Sequence, residues 1–541
     1  MFITWANTIL ASLAKDHSST LAARVAVAVF PLVSVLALLG LVGKAKRYDN
    51  AKSPYPVADA GLGSGGLFGS LRQRQQWFDN GSRIIHDAYK RFPDTIFTLP
   101  SPDYTIIVLP ARFLDEVKNI PRSVGNLSHF ISQWLMGTWT TADYAMIDAS
   151  VREAITKQYI GRIGQVIEPT AQETDHAVSG YLGDFKDYTP ILVQSKMAEI
   201  ASQIMCRTLV GPDLCRNPEF LASASDCSIH LMMGAIVMKR VPEFARPLFA
   251  VLTPFLYRIR SCRRTMKRLL RPLIQQSLEW RRSRPESWEA HVKTDEMNSL
   301  EWLVEVSSPE DLTVDTIFHR FTAISFAALH ATAGTISNAL LDLASDFDRW
   351  APDLRREVAT VLGSRSTKEI TNADLSKMWL LDSFLKESQR FNQPGSMLTV
   401  NRKMNQQHTL STGDVIPKNT TVCFAGASMS LSEEYFHNPH EFDGFRFARL
   451  REAAAHDTTG QKQQGLQFTS SHAGSLHFGH GRYACPGRFL GSLVSKLVMI
   501  DLLQRYDMEL GGSGRRPDNI FVLDIGAVDP KAELLLRDRV V

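Results

Sequence analysis

Cysteine is scarce and scattered: six residues, at 206, 215, 227, 262, 423 and 485, with no CxxC pair. That excludes a small disulfide scaffold and suits reduced thiols in a cytosol-facing domain. Charge of one sign is not in excess. Sixty Lys and Arg against 56 Asp and Glu leave a net charge of +4, too mild to argue for nucleic acid. Long repeats and low-complexity blocks are missing. With 44% hydrophobic residues over 541 positions, the chain can bury a large core.

Among uncharged apolar runs one stands out: "VAVAVFPLVSVLALLGLVG", Val25 to Gly43. About 20 such residues span a bilayer as a helix. Arg24 closes one end, and Lys44, Lys46 and Arg47 close the other, which puts the C-terminal side in the cytosol. The alternative is a cleaved signal peptide, whose apolar region is normally shorter and ends in a small-residue cleavage site. "KSPYPVADAGLGSGG", Lys52 to Gly66, follows; prolines stiffen its start and glycines loosen its end. The expected organisation is a short lumenal N-terminus (1–24), a transmembrane anchor (25–43), a Pro/Gly hinge (44–66) and one large domain (67–541). The tripeptides at Asn126 and Asn419 match glycosylation acceptors, which a cytosolic body leaves unmodified.

Apolar spacing predicts a helix over 79–91 and β-rich runs at Thr95–Leu99 and Tyr104–Leu109, split by a turn. Helical periodicity dominates from 145 to about 390. The arginine-rich stretch from 253 to 284 reads as a surface helix with a solvated basic face, or as a face lying near anionic lipid. Met397–Val400 and Val415–Phe424 read as short strands. The fold class expected is mainly α with small β-sheets.

"HFGHGRYACPGRFLG", His477 to Gly491, surrounds Cys485 with glycines. Leu490, Leu493, Val494, Leu497 and Val498 repeat at helical spacing, so a helix starts just past the cysteine. Pro486 suits its first position. Free N–H groups and the helix dipole there favour a thiolate, the form that binds soft metal centres. Gly479 and Gly481 allow a tight loop under something flat, and Gly487 lets the helix come close. Three readings stand at this point: a buried structural cysteine, a zinc site built from His472, His477, His480 and Cys485, and a heme with one proximal thiolate.

Two distant features bear on the choice. "LLDSFLKESQRFNQP" puts Glu387 and Arg390 three apart on one helix face. In "NPHEFDGFRFAR", Arg446 stands among Phe442, Phe445 and Phe447, and a buried guanidinium needs a carboxylate. The order Glu387–Arg390, Phe442–Arg446, then Phe478, Gly481, Cys485 and Gly487 in an FxxGxxxCxG pattern, resembles the cytochrome P-450 heme-thiolate monooxygenases. The resemblance covers about residues 67–541, and the anchor and hinge match microsomal members. It implies heme b (iron protoporphyrin IX), Cys485 as the axial iron ligand and Phe478 beside the sulfur. It also implies that Gly479, Gly481 and Gly487 make the heme-binding loop, and that Glu387, Arg390 and Arg446 form a structural triad. Where many members carry a propionate-binding arginine, this chain has Tyr483. Arg402 is the candidate replacement, with Arg152 behind it.

By the same resemblance, "FHRFTAISFAALHATAGTISNALLDLASDF" is the helix crossing the distal heme face. Its oxygen-handling pattern falls on Ala327, Ala328, Leu329, His330, Ala331 and Thr332. His330 holds the acid position, as in several fungal relatives, and Ala331 the usual threonine position. Thr332 lies about 100° around the helix and substitutes only if the helix is distorted. The implied activity is oxidation of a hydrophobic small molecule with O2 and electrons from an NADPH-cytochrome reductase, with His330 and Thr332 as proton-handling residues. The protein would sit in the endoplasmic reticulum membrane as a single-pass enzyme. Arg482, Arg488 and Lys496 are candidates for the reductase contact. Substrate-facing segments are expected near 121–135, 228–240, 323–332 and 393–400. The sequence style resembles fungal enzymes of secondary metabolism that oxidise terpenoid or other polycyclic intermediates. Two alternatives stand beside this: an oxygen-independent heme-thiolate rearrangement or dehydration catalyst, and a His/Cys metal-binding membrane scaffold.

Overall fold

The β-rich runs near 95–109 form two short antiparallel strands, β1 (Phe97–Leu99) and β2 (Ile106–Val108), with Thr98 opposite Ile107. This is a computed structural model, and it describes residues 53–58, 67–99, 101, 103–142, 149–241, 243–294, 297–455 and 465–540. The expected lumenal segment, the anchor at 25–43 and most of the hinge lie outside the described residues. Three more strands extend the sheet: β3 (Gly125–Asn126), β4 (Thr399–Met404) and β5 (Thr421–Phe424). Their order is β1-β2-β5-β4-β3. Only β2–β5 is parallel, and that pairing joins parts of the chain about 300 residues apart.

Two three-stranded sheets, one joining Tyr506–Leu510, Glu533–Asp538 and Thr189–Leu192 and one joining Ile520–Val522, Ile525–Ala527 and Gly395–Ser396, and a two-stranded ribbon complete the strands, and the rest is mostly helix. α1 (Leu67–Arg91) starts earlier than the periodicity suggested, because a kink at Asn80 (φ −132°, ψ 16°) breaks its pattern. Beside the kink, a Cβ on Gly81 would stand 2.4 Å from the Leu523 carbonyl oxygen, so only glycine lets α1 press on that loop. Asn126 caps α2 (Leu127–Trp134) by accepting a hydrogen bond from the His129 N–H at 3.1 Å. α3 (Ile163–Tyr181), α4 (Val193–Val210), α5 (Pro218–Arg240), α6 (Pro254–Ser283) and α7 (Val314–Ala344) follow, then α8 (Trp379–Asn392), α9 (Arg446–Ala455) and α10 (Arg488–Arg505).

The core lies where α7 meets α4, α8 and α10, with α3 packed behind α4 and α10. α6 buries Leu256, Ile259, Met266, Leu270, Ile274 and Leu278 on one stripe, against α5 and α7. Its arginines 258, 260, 264, 268 and 271 are exposed and form a basic face, as both readings of this stretch expected. Among the described residues, α5 and α7 are long and apolar enough to cross a membrane, but both pack against other helices of the body.

Candidate active site

Cys485 follows a single 3-10 turn, Gly481–Tyr483, and precedes α10. Its N–H donates to the Phe478 carbonyl at 2.6 Å, closing the loop on itself. Gly479 (φ +70°) and Gly481 (φ +63°) hold left-handed backbone, which side chains disfavour. A Cβ on Gly481 would also stand 2.8 Å from Lys118 Cβ. Gly487 is different: its φ is ordinary, but a Cβ there would stand 4.0 Å from Cys485 Sγ, so it keeps the flank of the sulfur clear. α10 begins at Arg488 rather than at Pro486, because residues 486–487 form a turn first.

The thiol combines two properties. It carries exposed surface, yet desolvation by surrounding protein pushes its pKa up. Together these mean that the sulfur faces a space inside the body rather than bulk water. The N–H groups of Gly487 and Arg488 and the guanidiniums of Arg488 and Arg152 pull the other way, as the helix-terminus argument expected, but burial outweighs them.

Positive charge collects beside this loop. Arg402, 1% exposed on β4, lies over the Tyr483 ring at 4.0 Å, with Arg482 at 5.1 Å and Arg152 at 5.8 Å. Arg152 donates to the carbonyls of Arg482 and Ala484, and Arg482 to that of Ile120 at 2.8 Å. None of the three arginines pairs with a carboxylate among the described residues. Arg402 Nε and Nη2 and the Tyr483 hydroxyl are buried without a partner, and burial pushes the Arg402 guanidinium down to about 10. Unpaired buried cations are costly. This donor set suits a flat ligand bearing carboxylates, which heme b carries as propionates.

Glu387, Arg390 and Arg446 meet in one network. Arg390 donates to Glu387 through Nε (2.8 Å) and Nη2 (2.7 Å), and through Nη1 to the carbonyls of Ser430 (2.9 Å) and Pro439 (2.7 Å). Arg446 Nε reaches the same carboxylate at 3.1 Å and its Nη1 reaches the His437 carbonyl at 2.6 Å. Both Glu387 and Arg390 are fully buried. Bidentate geometry with every donor placed is what makes such burial tolerable. The network ties α8 to α9 and to the chain before α9. Lys386, one residue earlier, holds the loop before Cys485 by donating to the carbonyls of Gln467 (2.9 Å) and Ser470 (3.0 Å). Its position beside Glu387 on a wholly buried helix face was the available signal, and reading the sequence missed it.

α7 is buried almost throughout, but Ala327 and Ala331 are exposed and Ala328, Gly334 and Thr335 partly so. Spacing of four and eight makes Ala327, Ala331 and Thr335 one stripe. His330 stands at its edge, with Nε2 3.3 Å from the Ser225 carbonyl of α5. Burial lowers its pKa, so the ring is neutral near pH 7 with Nε2 carrying the proton and Nδ1 an acceptor. Thr332 is off the stripe: its hydroxyl donates to Ala328 O at 3.3 Å and faces Gly491 of α10. α7 is regular through 331–332, so the distortion that Thr332 required is not there. Thr335, one turn beyond Ala331, was also missed, although i+4 spacing pointed to it.

Two expectations are corrected. Among the described residues no three His, Cys, Asp or Glu converge on a metal position. His472 Nδ1 accepts from the Gly474 N–H, His480 faces the Ser471 hydroxyl, and His477 Nε2 is buried alone. The zinc reading and the metal-binding scaffold therefore fail on geometry. Lys496 is no surface cation: it is buried and pairs with Asp382 at 2.6 Å. Arg488 is half-buried, donating to the Cys485 carbonyl at 2.7 Å.

The cytochrome P-450 family model matches residues 68–535. Cytochrome P-450 monooxygenase BOA4 of Botryotinia fuckeliana is 31% identical over 485 residues, covering 87% of this chain and 94% of that protein. Ent-kaurene oxidase of Fusarium fujikuroi is 29% identical over 479 residues, covering 87% and 85%. Cytochrome P-450 monooxygenase paxP of Penicillium paxilli is 29% identical over 462 residues, covering 84% and 85%. The solved structure of retinoic acid-bound cyanobacterial CYP120A1 superposes with a TM-score of 0.61 at 17% identity, covering 86% of this chain and 96% of that one. That likeness is one of fold.

Proposed function

The chain belongs to the cytochrome P-450 family and is a heme b monooxygenase, and from that premise we propose that it oxidises a hydrophobic polycyclic molecule, a terpenoid by preference, in fungal secondary metabolism. The observation that carries this reading is the pairing of an inward-facing Cys485 with a cluster of arginines lacking carboxylates, together with an open stripe of small residues on α7. Ent-kaurene oxidase among the relatives supports the terpenoid class. Small alanines at 327 and 331 leave room for a bulky apolar skeleton.

Cys485 would hold the iron, with Phe478 beside it and Gly487 leaving its flank clear. Arg402 and Tyr483 would receive the propionates, with Arg152 and Arg482 adding charge. Bound there, heme supplies activation of O2 with two electrons from a reductase, the thiolate favouring O–O cleavage. The protein's own residues do the rest. Apolar walls orient the substrate and exclude water. His330 holds its proton at Nε2 against Ser225 O and accepts at Nδ1, and we assign it the relay of protons toward the stripe. Thr335 carries the hydroxyl on that stripe, the place Thr332 was expected to fill. His330→Ala is expected to raise peroxide leakage, and unchanged coupling of reductant to product would reject the relay.

The proposed partner is an NADPH-cytochrome reductase, and the proposed location the endoplasmic reticulum membrane, through the 25–43 segment. Exposed Val251 and Leu252 just before α6, and Tyr257 in its first turn, support a further lipid contact. The test is the full-length protein with a reductase and pooled terpenoid, polyketide and alkaloid precursors. Oxidised product that needs NADPH and O2, together with a thiolate-type CO-difference band absent from Cys485→Ser, is expected. Product made without reductant or O2 would favour a rearrangement catalyst instead.

A further inference from the structure

Lys239, near the C-terminal end of α5, is 7% exposed, yet its ammonium donates no hydrogen bond to another of the described residues. It lies over the Trp134 ring at 4.9 Å and lines a cavity of about 20 Å³ together with Phe130, Trp134, Leu398, Asp103 and Asp524. The Thr421 hydroxyl, buried and without a partner, lines the same space. A buried ammonium without acceptors is costly, so this position is held for something that supplies them.

The cavity sits where three of the four expected substrate-facing segments converge: Phe130 and Trp134 from 121–135, Lys239 from 228–240 and Leu398 from 393–400. The neighbouring carboxylates are already engaged. Asp103 takes Arg74 at 3.0 Å and Arg246 at 2.5 Å, and Asp524 accepts from the Ser396 hydroxyl. Neither forms an ion pair with Lys239. Three cations against two carboxylates leave the corner with a charge of +1. Burial lowers the Lys239 pKa, with Asp524 and Asp103 opposing that from a distance. An anionic oxygen beside the ammonium would balance that charge and accept its hydrogen bonds.

We propose that Lys239 and Thr421 bind a carboxylate carried on an otherwise apolar substrate, so that this enzyme acts on an acid rather than on a neutral hydrocarbon. The inference rests on the monooxygenase reading and deepens it by naming the recognised group. The space admits about one water-sized oxygen, which suits the inner oxygen of a carboxylate, with the skeleton running toward the α7 stripe.

The test titrates heme-loaded full-length protein with matched pairs: dehydroabietic acid against its methyl ester, and dodecanoic acid against methyl dodecanoate. Binding is read by the heme absorption shift and by calorimetry, which does not depend on heme. The acid of at least one pair is expected to bind roughly tenfold tighter than its ester. Lys239→Met should abolish that preference without weakening the ester, and Lys239→Arg should keep part of it. If Lys239→Met fails to retain heme, Lys239→Gln serves. Esters binding as tightly as acids, a preference that survives in Lys239→Met, or no acid binding at about 1 mM each overturns the proposal. Survival of the preference would mean that Lys239 meets a resident water only. The monooxygenase reading is judged separately, by the CO-difference band and reductase-dependent O2 consumption, so the two can fail independently.

Discussion

Arg402 shows what one side chain can report. It is among the largest fully buried residues, two of its donor atoms have no partner while Nη1 donates to the Asn401 carbonyl, and a tyrosine ring and other arginines surround it. Removing it has opposite effects on two states. Arg402→Leu is expected to weaken heme retention by roughly tenfold or more, since a hydrogen bond to a charged group is worth about 1.5–3 kcal/mol. The heme-free chain should become more stable, because an uncompensated buried charge is gone. Heme-to-protein ratio after dilution and thermal unfolding of the heme-free chain check the two halves. Tyr483→Phe should lose less heme, through one neutral hydroxyl. From the sequence, Arg402 was legible only as a basic residue in a strand region, with nothing to separate it from a surface arginine. Its burial comes from β4 lying inside a five-stranded sheet whose central pairing spans the chain.

At the scale of an element, α7 decides the proton chemistry by which side each residue faces. Thr332 and Thr335 are both threonines within one turn of Ala331, but their surroundings differ. Thr332→Val should leave coupling of NADPH to product unchanged and cost less than about 1 kcal/mol, since its hydroxyl is spent on a weak bond to Ala328 O within α7. Thr335→Val should raise hydrogen peroxide release severalfold at similar substrate affinity. Equal effects from the two variants would reject the stripe. Ala331→Thr, which returns a hydroxyl to the stripe, should lower peroxide release. The helix itself was legible from its composition, and so were His330 and the alanines. Which threonine reaches the open face was not, because a helix buried on nearly every side has no polar face to orient it. The position of its neighbours α5 and α10 supplies that orientation.

Across the whole molecule, burial sets the response to pH. His472 is pushed down to about 4 and His477 to about 3, by desolvation first and by Lys386 second. An unfolded chain protonates both near pH 6.5, so between that value and about 3 it binds more protons than the native state. The stabilisation is present in full above about pH 6.5 and is lost progressively as pH falls through this window. Unfolding temperature should drop steeply from pH 6.5 to 4, and His477→Gln should flatten the drop; an equally steep drop in that variant would place the acid sensitivity elsewhere. The sequence by itself determined the class of the protein: helix and strand periods, the glycines around Cys485 and the Glu387–Arg390 spacing are local, and local patterns need no partner to be read. The tertiary structure alone decided which charges are paired. Lys496 turned inward to Asp382, Arg402 was buried with no carboxylate partner, and Lys239 was buried near Asp103 and Asp524 without an ion pair to either. Charge pairing is a contact between segments remote in the chain, and the cost of burying a charge depends on what the fold brings beside it.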